Sequence, residues 1–252
     1  MKLESPELIA DLLSKDRRID SRKPKETRKI EYKVNFIKKA EGSCYLSIGN
    51  TKVVVGIKFG VMTPYPDSPD EGGLMVTINY APVIWKELPA NSDIEISRVL
   101  DRSIRVSKML DLKEFCVTKG EKAFQVFIDC YVMNYDGNLL EALNLATVKA
   151  LMNMNMPKLE ENDKIGVSDK KIELKSKPVL VMISGLDGKY LLDLNQSEEG
   201  GIDFSISISY LDDSTICAMQ KTGIKGIPMS KMDEIFKIGA EKQKELRKIL
   251  DE

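Results

Sequence analysis

The sequence predicts an α+β fold built from β-rich units with helices packed on them. Two hairpin signals, Gly49-Asn50 and Asp187-Gly188, each separate a pair of strand-like runs rich in β-branched residues. Residues 139–152 and 231–250 instead carry apolar residues at helical spacing. The strand–helix order of the first half loosely recurs in the second. This recurrence predicts a duplicated unit, although residue-level repetition is weak.

Length and charge set the domain organisation. The chain has 252 residues, 42% of them hydrophobic, which is enough for a sizeable core. We predict one domain over residues 1–252, with an N-terminal helix and arm (1–27), a first half (28–157) and a second half (158–252) that ends in a long helix. The formal net charge of −1 excludes a protein-wide basic field. Any nucleic-acid binding must therefore come from a local patch or from a partner.

Several classes of chemistry are excluded by composition. The chain has no histidine, which removes Ser-His and Cys-His nucleophiles and His-based metal sites. Its four cysteines are scattered without a C-x-x-C pair, which favours reduced thiols in a cytosolic protein over a zinc site. No apolar run approaches about 18 residues, and the N-terminus lacks a signal-peptide pattern. We therefore expect a cytoplasmic protein with no metal, no cofactor and no membrane contact.

The N-terminal quarter reads as a short helix, a basic arm and then strands. Pro6 to Ser14 is amphipathic, and Ser5 is a suitable N-cap before the proline. Arg18, Asp20 and Arg22 lie in the polar arm, where we expect them to pair locally. The predicted strands are Ile30–Ile37, Ser43–Ile48, Lys52–Phe59 and Leu74–Tyr80. The segment from Thr63 to Gly73, rich in proline and acids, is predicted to be a loop, and whether it contacts nucleic acid or only solvent stays open.

The remaining elements follow the same rules. In the middle of the chain we predict a helix (Ser92–Leu110), a strand (Glu121–Tyr135), a turn at Asp136-Gly137 and a second helix (Leu139–Met152). Further strands are predicted at Val179–Gly185, Lys189–Asn195, Asp203–Leu211 and Thr215–Gln220. The last helix is predicted over Lys231–Leu250, with Ser230 as its N-cap and Asp233 three residues later.

Three arginines of the first long helix share one face. Arg98, Arg102 and Arg105 recur at i, i+4 and i+7, away from the apolar stripe of that helix. Three guanidinium groups in a row repel each other unless an anion lies between them, and phosphate matches their planar donors. The alternative is a solvated helix face on which Asp101 and Glu95 pair with the arginines. Spacing alone leaves both interpretations open.

The same stretch carries a family resemblance. "SRVLDRSIRVSKMLDL" and "FQVFIDCYVMNYDGNLLEALNLATVKALMNMNMP" resemble the RNase PH superfamily, and within it the non-catalytic RNase PH-like subunits of the archaeal exosome core. "RIDSRKPKETRKIEY", "AEGSCYLSIGNTKVVVGIKF" and "SEEGGIDFSISISYLDDSTICAMQKTG" extend the resemblance, in the family's order, over nearly the whole chain. It implies an RNase PH-like fold of the ribosomal protein S5 domain 2-like kind.

The resemblance also implies a function and partners. It implies a subunit of a phosphate-dependent 3′-5′ exoribonuclease complex, in a hexameric ring that alternates this chain with a catalytic RNase PH-like paralogue, three copies of each. S1/KH-type RNA-binding cap subunits and single-stranded RNA are the other implied partners. In such a ring Arg98, Arg102 and Arg105 would reach the RNA path. Phosphate contacts of this kind hold a strand without reading its sequence.

The expected phosphate site is altered in this chain. Catalytic relatives place Gly, Ser or Thr and an Arg where a helix begins, because free N–H groups and the helix dipole there favour an anion. Here the positions are filled by Asn138, Leu139, Leu140, Glu141 and Ala142. The leucines are bulky, and the glutamate adds negative charge to the first turn. We therefore expect that this chain alone does not bind phosphate and is not an enzyme by itself.

Asp203 is a weak catalytic candidate. It lies near the place of the catalytic aspartate of active relatives, where inactive subunits of the family carry no acid. It is either a remnant of that residue or an ordinary residue at the start of a strand, and the second interpretation is favoured. Two rival functions stay open: a self-sufficient phosphorolytic 3′-5′ exoribonuclease that uses Asp203, and an RNA-binding scaffold unrelated to catalysis.

Overall fold

A computed structural model describes residues 5–84 and 92–252, in five helices and twelve strands. The helices are α1 (Pro6–Ser14), α2 (Ser92–Val106), α3 (Leu139–Met152), α4 (Gln196–Glu199) and α5 (Met232–Asp251). The strands are β1 (Ile30–Val34), β2 (Gly42–Ile48), β3 (Thr51–Met62), β4 (Gly73–Tyr80), β5 (Cys116–Thr118), β6 (Lys122–Asn134), β7 (Asn155–Leu159), β8 (Ile165–Lys171), β9 (Val179–Leu186), β10 (Lys189–Leu192), β11 (Phe204–Tyr210) and β12 (Ile216–Thr222). Within these ranges, no helix is both long and apolar enough to cross a membrane.

Two main sheets enclose one buried helix. The larger sheet has the order β1-β2-β3-β6-β4, with β5 paired to β6, and only the β4–β6 pair is parallel. The smaller sheet is antiparallel, in the order β10-β9-β11-β12. Helix α3 packs against β2 and β3 of one sheet and β9 of the other, so nearly all its residues are buried. This explains why apolar residues of α3 are not confined to a single stripe.

Helices α2 and α5 complete the layers. Helix α2 packs against β4 of the larger sheet and β12 of the smaller sheet, so it bridges the two. Helix α5 packs mainly against β9, with Ile235 and Leu246 fully buried. A single apolar cluster runs through both sheets and these helices. The predicted α+β class is confirmed.

Some boundaries differ from the prediction for local reasons. Helix α2 ends at Val106 and not at Leu110, because the Ser107 hydroxyl donates to the Ile104 carbonyl (2.7 Å) and Lys108 adopts a left-handed conformation (φ 52°). The predicted cap Ser230 is wrong: it lies inside a 3-10 turn, Met229–Lys231, and α5 begins after it without a side-chain cap. The strand expected to reach Asn195 stops at Leu192, since Asp193 has a φ of 50°.

Asn195 was expected in a strand but caps a helix. Its side chain accepts from the Glu198 backbone N–H, and the Glu198 side chain accepts from the Asn195 N–H, which together form a capping box for α4. The hairpin β7–β8 was not predicted at all. Its second strand is mostly polar and exposed, so it lacks the apolar alternation on which strand prediction depends.

Buried ion pairs fasten the N-terminal arm to the second half of the chain. The Arg22–Asp20 pair is local, as predicted (2.8 Å), but the expectation of a local partner for Arg18 is wrong. Arg18 reaches the carboxylate of Glu198, and both side chains are fully buried. A guanidinium withdrawn from water needs full hydrogen bonding, and the Leu192 and Asp193 carbonyls accept from the same side chain at 2.8 Å.

Asp193 is the centre of a second buried group. Its carboxylate accepts from the backbone N–H (2.7 Å), Nε (2.9 Å) and Nη2 (2.7 Å) of Arg28, from Nη1 of Arg22 (2.9 Å) and from Nδ2 of Asn138 (2.9 Å). Burial alone would raise the pKa of the Asp193 carboxyl, but the hydrogen bonds and charge of Arg28 outweigh it and lower that pKa. Asp193 therefore stays ionised and ties the arm to both halves.

We predict that Asp193→Ala lowers the free energy of unfolding by about 3–5 kcal/mol, because it removes the buried carboxylate that Arg22 and Arg28 share and leaves Arg28 with only Asp136 as an ionic partner. Urea denaturation measures the change. The matched control is Asp11→Ala, which removes an exposed Asp11–Lys15 pair (2.7 Å) and should change stability by less than about 1 kcal/mol. Equal effects of the two substitutions would contradict a stabilising role for the Asp193 group.

Candidate nucleic-acid interface

The three predicted arginines lie together in one groove. Arg98, Arg102 and Arg105, called the arginine stripe below, line a groove between the outer face of α2 and strand β4. Leu74, Met75 and Val76 of β4 form its other wall, and all three arginines are exposed. The helical spacing seen in the sequence thus produces one continuous cationic surface at the edge of the larger sheet.

The arginines of the stripe differ in whether an acidic residue of the chain already neutralises their charge. Arg105 pairs with Asp101 (Nη2–Oδ1, 2.8 Å) and donates to the Leu74 carbonyl (3.1 Å). Arg102 donates to the neutral Oε1 of Gln220 (3.1 Å), whereas Arg98 has no hydrogen bond or ion pair with any residue that the structure describes. The solvated-face alternative therefore fits Arg105 best, and Arg98 and Arg102 keep uncompensated charge for an anionic partner.

The N-terminus of α3 is occupied by a carboxylate of the chain itself. Asn138 precedes the helix in a left-handed conformation (φ 52°, ψ 39°), and its backbone N–H donates to Oε1 of Glu199 (3.1 Å). The Tyr135 hydroxyl donates to the other oxygen of Glu199. Burial raises the pKa of the Glu199 carboxyl above its ordinary value. An external anion could reach this N–H only by displacing Glu199, and nothing in the sequence pattern pointed to that residue.

Glu141 does not have the predicted role. The sequence suggested a charged residue that repels an anion from the first turn of α3. In the structure Glu141 is almost fully buried and points toward the smaller sheet, where Oε2 accepts from the Met182 backbone N–H (3.2 Å). Burial raises the pKa of Glu141 to about 7, despite the opposing charge of Lys242. The residue that occupies the anion position is Glu199.

Asp203 lies just before β11 and fastens two turns. Its carboxylate pairs with Lys225 (Oδ1–Nζ, 2.8 Å) and accepts from the Asp187 backbone N–H (3.2 Å). The hydrogen bond from Lys225 lowers the pKa of the Asp203 carboxyl, so the group is ionised at neutral pH. These contacts suit a residue at the start of a strand, and its catalytic status stays a prediction.

A cleft of about 200 Å³ lies beside the start of α3, between α2 and the smaller sheet. Its apolar walls are Ile96, Val99, Leu139, Leu140 and Met182. Its polar groups are Ser92, Glu95, Asn138, Glu199, Ser207, Gln220 and Thr222. The two leucines that were expected to obstruct a phosphate thus form part of the wall of an open cleft.

Comparison with known proteins identifies the family. Residues 26–157 match domain 1 of the RNase PH model, which describes a 3′ exoribonuclease family, and residues 177–242 match domain 2. The chain belongs to the RNase PH family. The resemblance noted in the sequence is therefore confirmed, and so is the RNase PH-like fold. Family membership alone does not assign activity to a chain, since function depends on the site.

Two curated relatives are similar over nearly the full chain. The "Exosome complex component Rrp42" of Methanosarcina acetivorans is 36% identical over 244 residues, which cover 95% of this RNase PH-family chain and 90% of the relative. The protein of the same name from Sulfurisphaera tokodaii is 36% identical over 236 residues, which cover 90% of the chain and 86% of the relative. Both names describe a component of a complex.

Two solved structures have the same fold. A chain of the Archaeoglobus fulgidus exosome with RNA bound to the active site matches with a TM-score of 0.88 and 34% identity, covering 96% of each chain. A chain of an archaeal exosome core matches with a TM-score of 0.87 and 34% identity, covering 98% of this chain and 96% of that one.

The buried Glu141 predicts a pH dependence of stability. In the unfolded chain its carboxyl ionises near 4.5, whereas in the native state its pKa is about 7. Below pH 4.5 both states are protonated. Between pH 4.5 and 7 only the unfolded state loses the proton, so native stability falls by about 3 kcal/mol and then levels off. Glu141→Gln should remove this fall.

Urea titrations at intervals from pH 4 to 8 test this prediction through the difference between wild type and Glu141→Gln. The matched control is Glu241→Gln on the exposed face of α5, which removes one carboxyl that no sheet covers. A constant difference for Glu141→Gln across the same range would show that the carboxyl ionises normally in the native state.

Proposed function

We propose that this chain is a non-catalytic, RNA-binding and structural subunit of the exosome core ring, a phosphate-dependent 3′-5′ exoribonuclease complex of the cytoplasm. The observation that carries the proposal is the contact between the Asn138 N–H and Glu199, because it fills the helix start at which an active relative would hold phosphate. A phosphorolytic enzyme needs that phosphate as its nucleophile. This chain therefore has no place of its own from which to start the reaction.

The relatives support the proposed assembly. Their names describe exosome components, and one matching structure is an exosome with RNA bound to its active site. By analogy, the chain alternates with a catalytic RNase PH-like paralogue in a ring with three copies of each, and S1/KH-type cap subunits bind that ring. The arginine stripe then holds single-stranded RNA near the active site of the paralogue, in a neutral protein whose basic charge is local.

Neither rival function fits the same contacts. A self-sufficient exoribonuclease would require Asp203 beside a free phosphate site, but Asp203 pairs with Lys225 and Glu199 fills the helix start. An RNA-binding scaffold unrelated to catalysis would not require near full-length similarity to exosome components. The unrelated scaffold would be the correct function if the chain binds RNA without changing the activity of a partner.

A mixing experiment tests the proposal. Single-stranded RNA and inorganic phosphate are incubated with this chain alone, with an archaeal catalytic RNase PH-like subunit alone, and with both, and nucleoside diphosphates are quantified. Release that occurs only in the mixture, or much faster there, supports the proposal. Release by this chain alone would establish the self-sufficient enzyme, and no effect on the partner would favour the unrelated scaffold.

We predict that Asp203→Ala leaves phosphorolysis by the assembled complex within about twofold of wild type. The carboxylate fastens turns and does not serve the reaction, and each tenfold change in rate corresponds to about 1.4 kcal/mol of barrier. The measurement is the initial rate of nucleoside diphosphate release. A reference variant, Lys225→Ala, removes the same ion pair from its other side and should behave alike. A hundredfold loss for Asp203→Ala alone would make this aspartate catalytic.

We predict that Arg98→Glu combined with Arg102→Glu weakens RNA binding by the assembled complex at least tenfold, whatever the RNA sequence. Each lost phosphate contact removes roughly 1.5–3 kcal/mol, and the dependence of binding on salt should become shallower because fewer counterions are released. Fluorescence anisotropy at several salt concentrations measures both effects. Alanine at the same two positions should weaken binding less.

The charge-matched control for this prediction is Lys237→Glu combined with Lys248→Glu, on the exposed face of α5. It changes the net charge by the same amount at a different place on the surface. If RNA binds at the arginine stripe, this control should leave RNA binding nearly unchanged. Light scattering establishes that both variants still form rings. If the arginine variant forms intact rings that bind RNA like wild type, the stripe is only a solvated helix face and does not bind RNA.

A further inference from the structure

The arginine groove and the cleft beside α3 are two ends of one depression. An intermediate pocket lies between them: it shares Arg98 and Arg102 with the arginine groove, and it shares Glu95, Val99 and Gln220 with the cleft. The three pockets thus follow one another from the exposed face of α2 to the first residues of α3. A ligand that lies along this depression contacts both ends at once.

The chemical character changes along this depression. The outer end is cationic, with Arg98 free of described partners and Arg102 bound only to a neutral amide. The inner end has apolar walls, and its acids, Glu95 and Glu199, oppose a phosphate there. A matching ligand therefore carries anionic groups at one end and an uncharged, flat, largely apolar group at the other, which describes a nucleotide.

The inner end also offers the polar groups that a base edge requires. Gln220 uses its Oε1 to accept from Arg102, so its amide N–H groups point to no described partner and can donate to a base. Glu95 is exposed at the rim and can accept from an exocyclic amine. Met182 and the leucines of α3 supply polarisable, apolar walls against which a ring can pack. Bases of single-stranded RNA are free to turn into such a cleft.

We propose that this cleft binds the uncharged base of one RNA nucleotide whose neighbouring phosphates lie on the arginine stripe. The site thus becomes a base-binding cleft, located where active relatives hold phosphate. The proposal rests on the proposed RNA-binding function and adds a prediction that phosphate contacts alone do not make. Removing a base at one position of the RNA should weaken binding, although the phosphates are unchanged.

The experiment uses the full chain assembled with an archaeal catalytic RNase PH-like subunit, and RNA oligonucleotides in which one nucleotide at a time is abasic. At one position the abasic RNA should bind wild type roughly tenfold more weakly, because each stacked base contributes about 1–3 kcal/mol. The variant Thr222→Trp fills the cleft from the exposed strand β12 and should lose this sensitivity. Met219→Trp, on the opposite face of the same strand, should keep it.

The outcomes separate this proposal from the proposed function. If the complex binds RNA through the arginine stripe but no abasic position differs between wild type and Thr222→Trp, the base-binding cleft is wrong and the RNA-binding subunit stands. If charge reversal of the stripe leaves RNA binding intact, the proposed RNA contact fails first. Tight binding of a free mononucleotide, equal to that of the oligonucleotide, would overturn the assignment to RNA.

A crosslinking measurement on the wild-type protein guards against a variant that folds poorly. RNA with 4-thiouridine at the sensitive position is irradiated with the complex, and the modified peptides are mapped. Crosslinks to the segments 138–140, 182 or 220–222 support the cleft. Crosslinks from that position only to the partner subunit, or only to the outer face of α2, would overturn it.

Discussion

The carboxylate of Asp193 joins three parts of the chain that are far apart in sequence. It accepts from Arg22 of the N-terminal arm, from Arg28 just before β1 and from Asn138 at the start of α3, while its own backbone follows the last residue of β10. The position of Asn138 depends on this contact. Asn138 immediately precedes α3, so the same carboxylate contacts the residue whose backbone N–H donates to Glu199.

The contacts of Asn138 satisfy the start of the buried helix from within the chain. Asp193 holds the side chain of Asn138, and Glu199 accepts from the backbone of that same residue. Glu199 thus lies in the region of positive potential that a helix start creates, and the backbone N–H of Asn138 already has a partner within the chain. A buried polar group with an internal partner has little to gain from an external one.

The spacing of neighbouring residues predicted most helices and strands, but it could not predict ion pairs between residues that are far apart in the sequence. The bounds of α3 and the shared face of Arg98, Arg102 and Arg105 follow from helical spacing, which depends only on neighbouring residues. Arg18 and Glu198, by contrast, are separated by 180 positions, and their contact depends on the packing of the whole chain. Glu199 was missed for the same reason, because its role is set by where α4 lies in space.

Glu141 is a second residue whose role could not be predicted from its local position. Its place in the first turn of a helix suggested a charged residue at an anion site, but the second sheet covers that turn and buries the carboxyl. Burial changes both its charge and its partner, so the rule for exposed helix ends no longer applies. Arg98 and Arg102, by contrast, remain exposed on α2 with no carboxylate partner among the described residues, so a chain with a net charge of −1 still presents a local cationic surface.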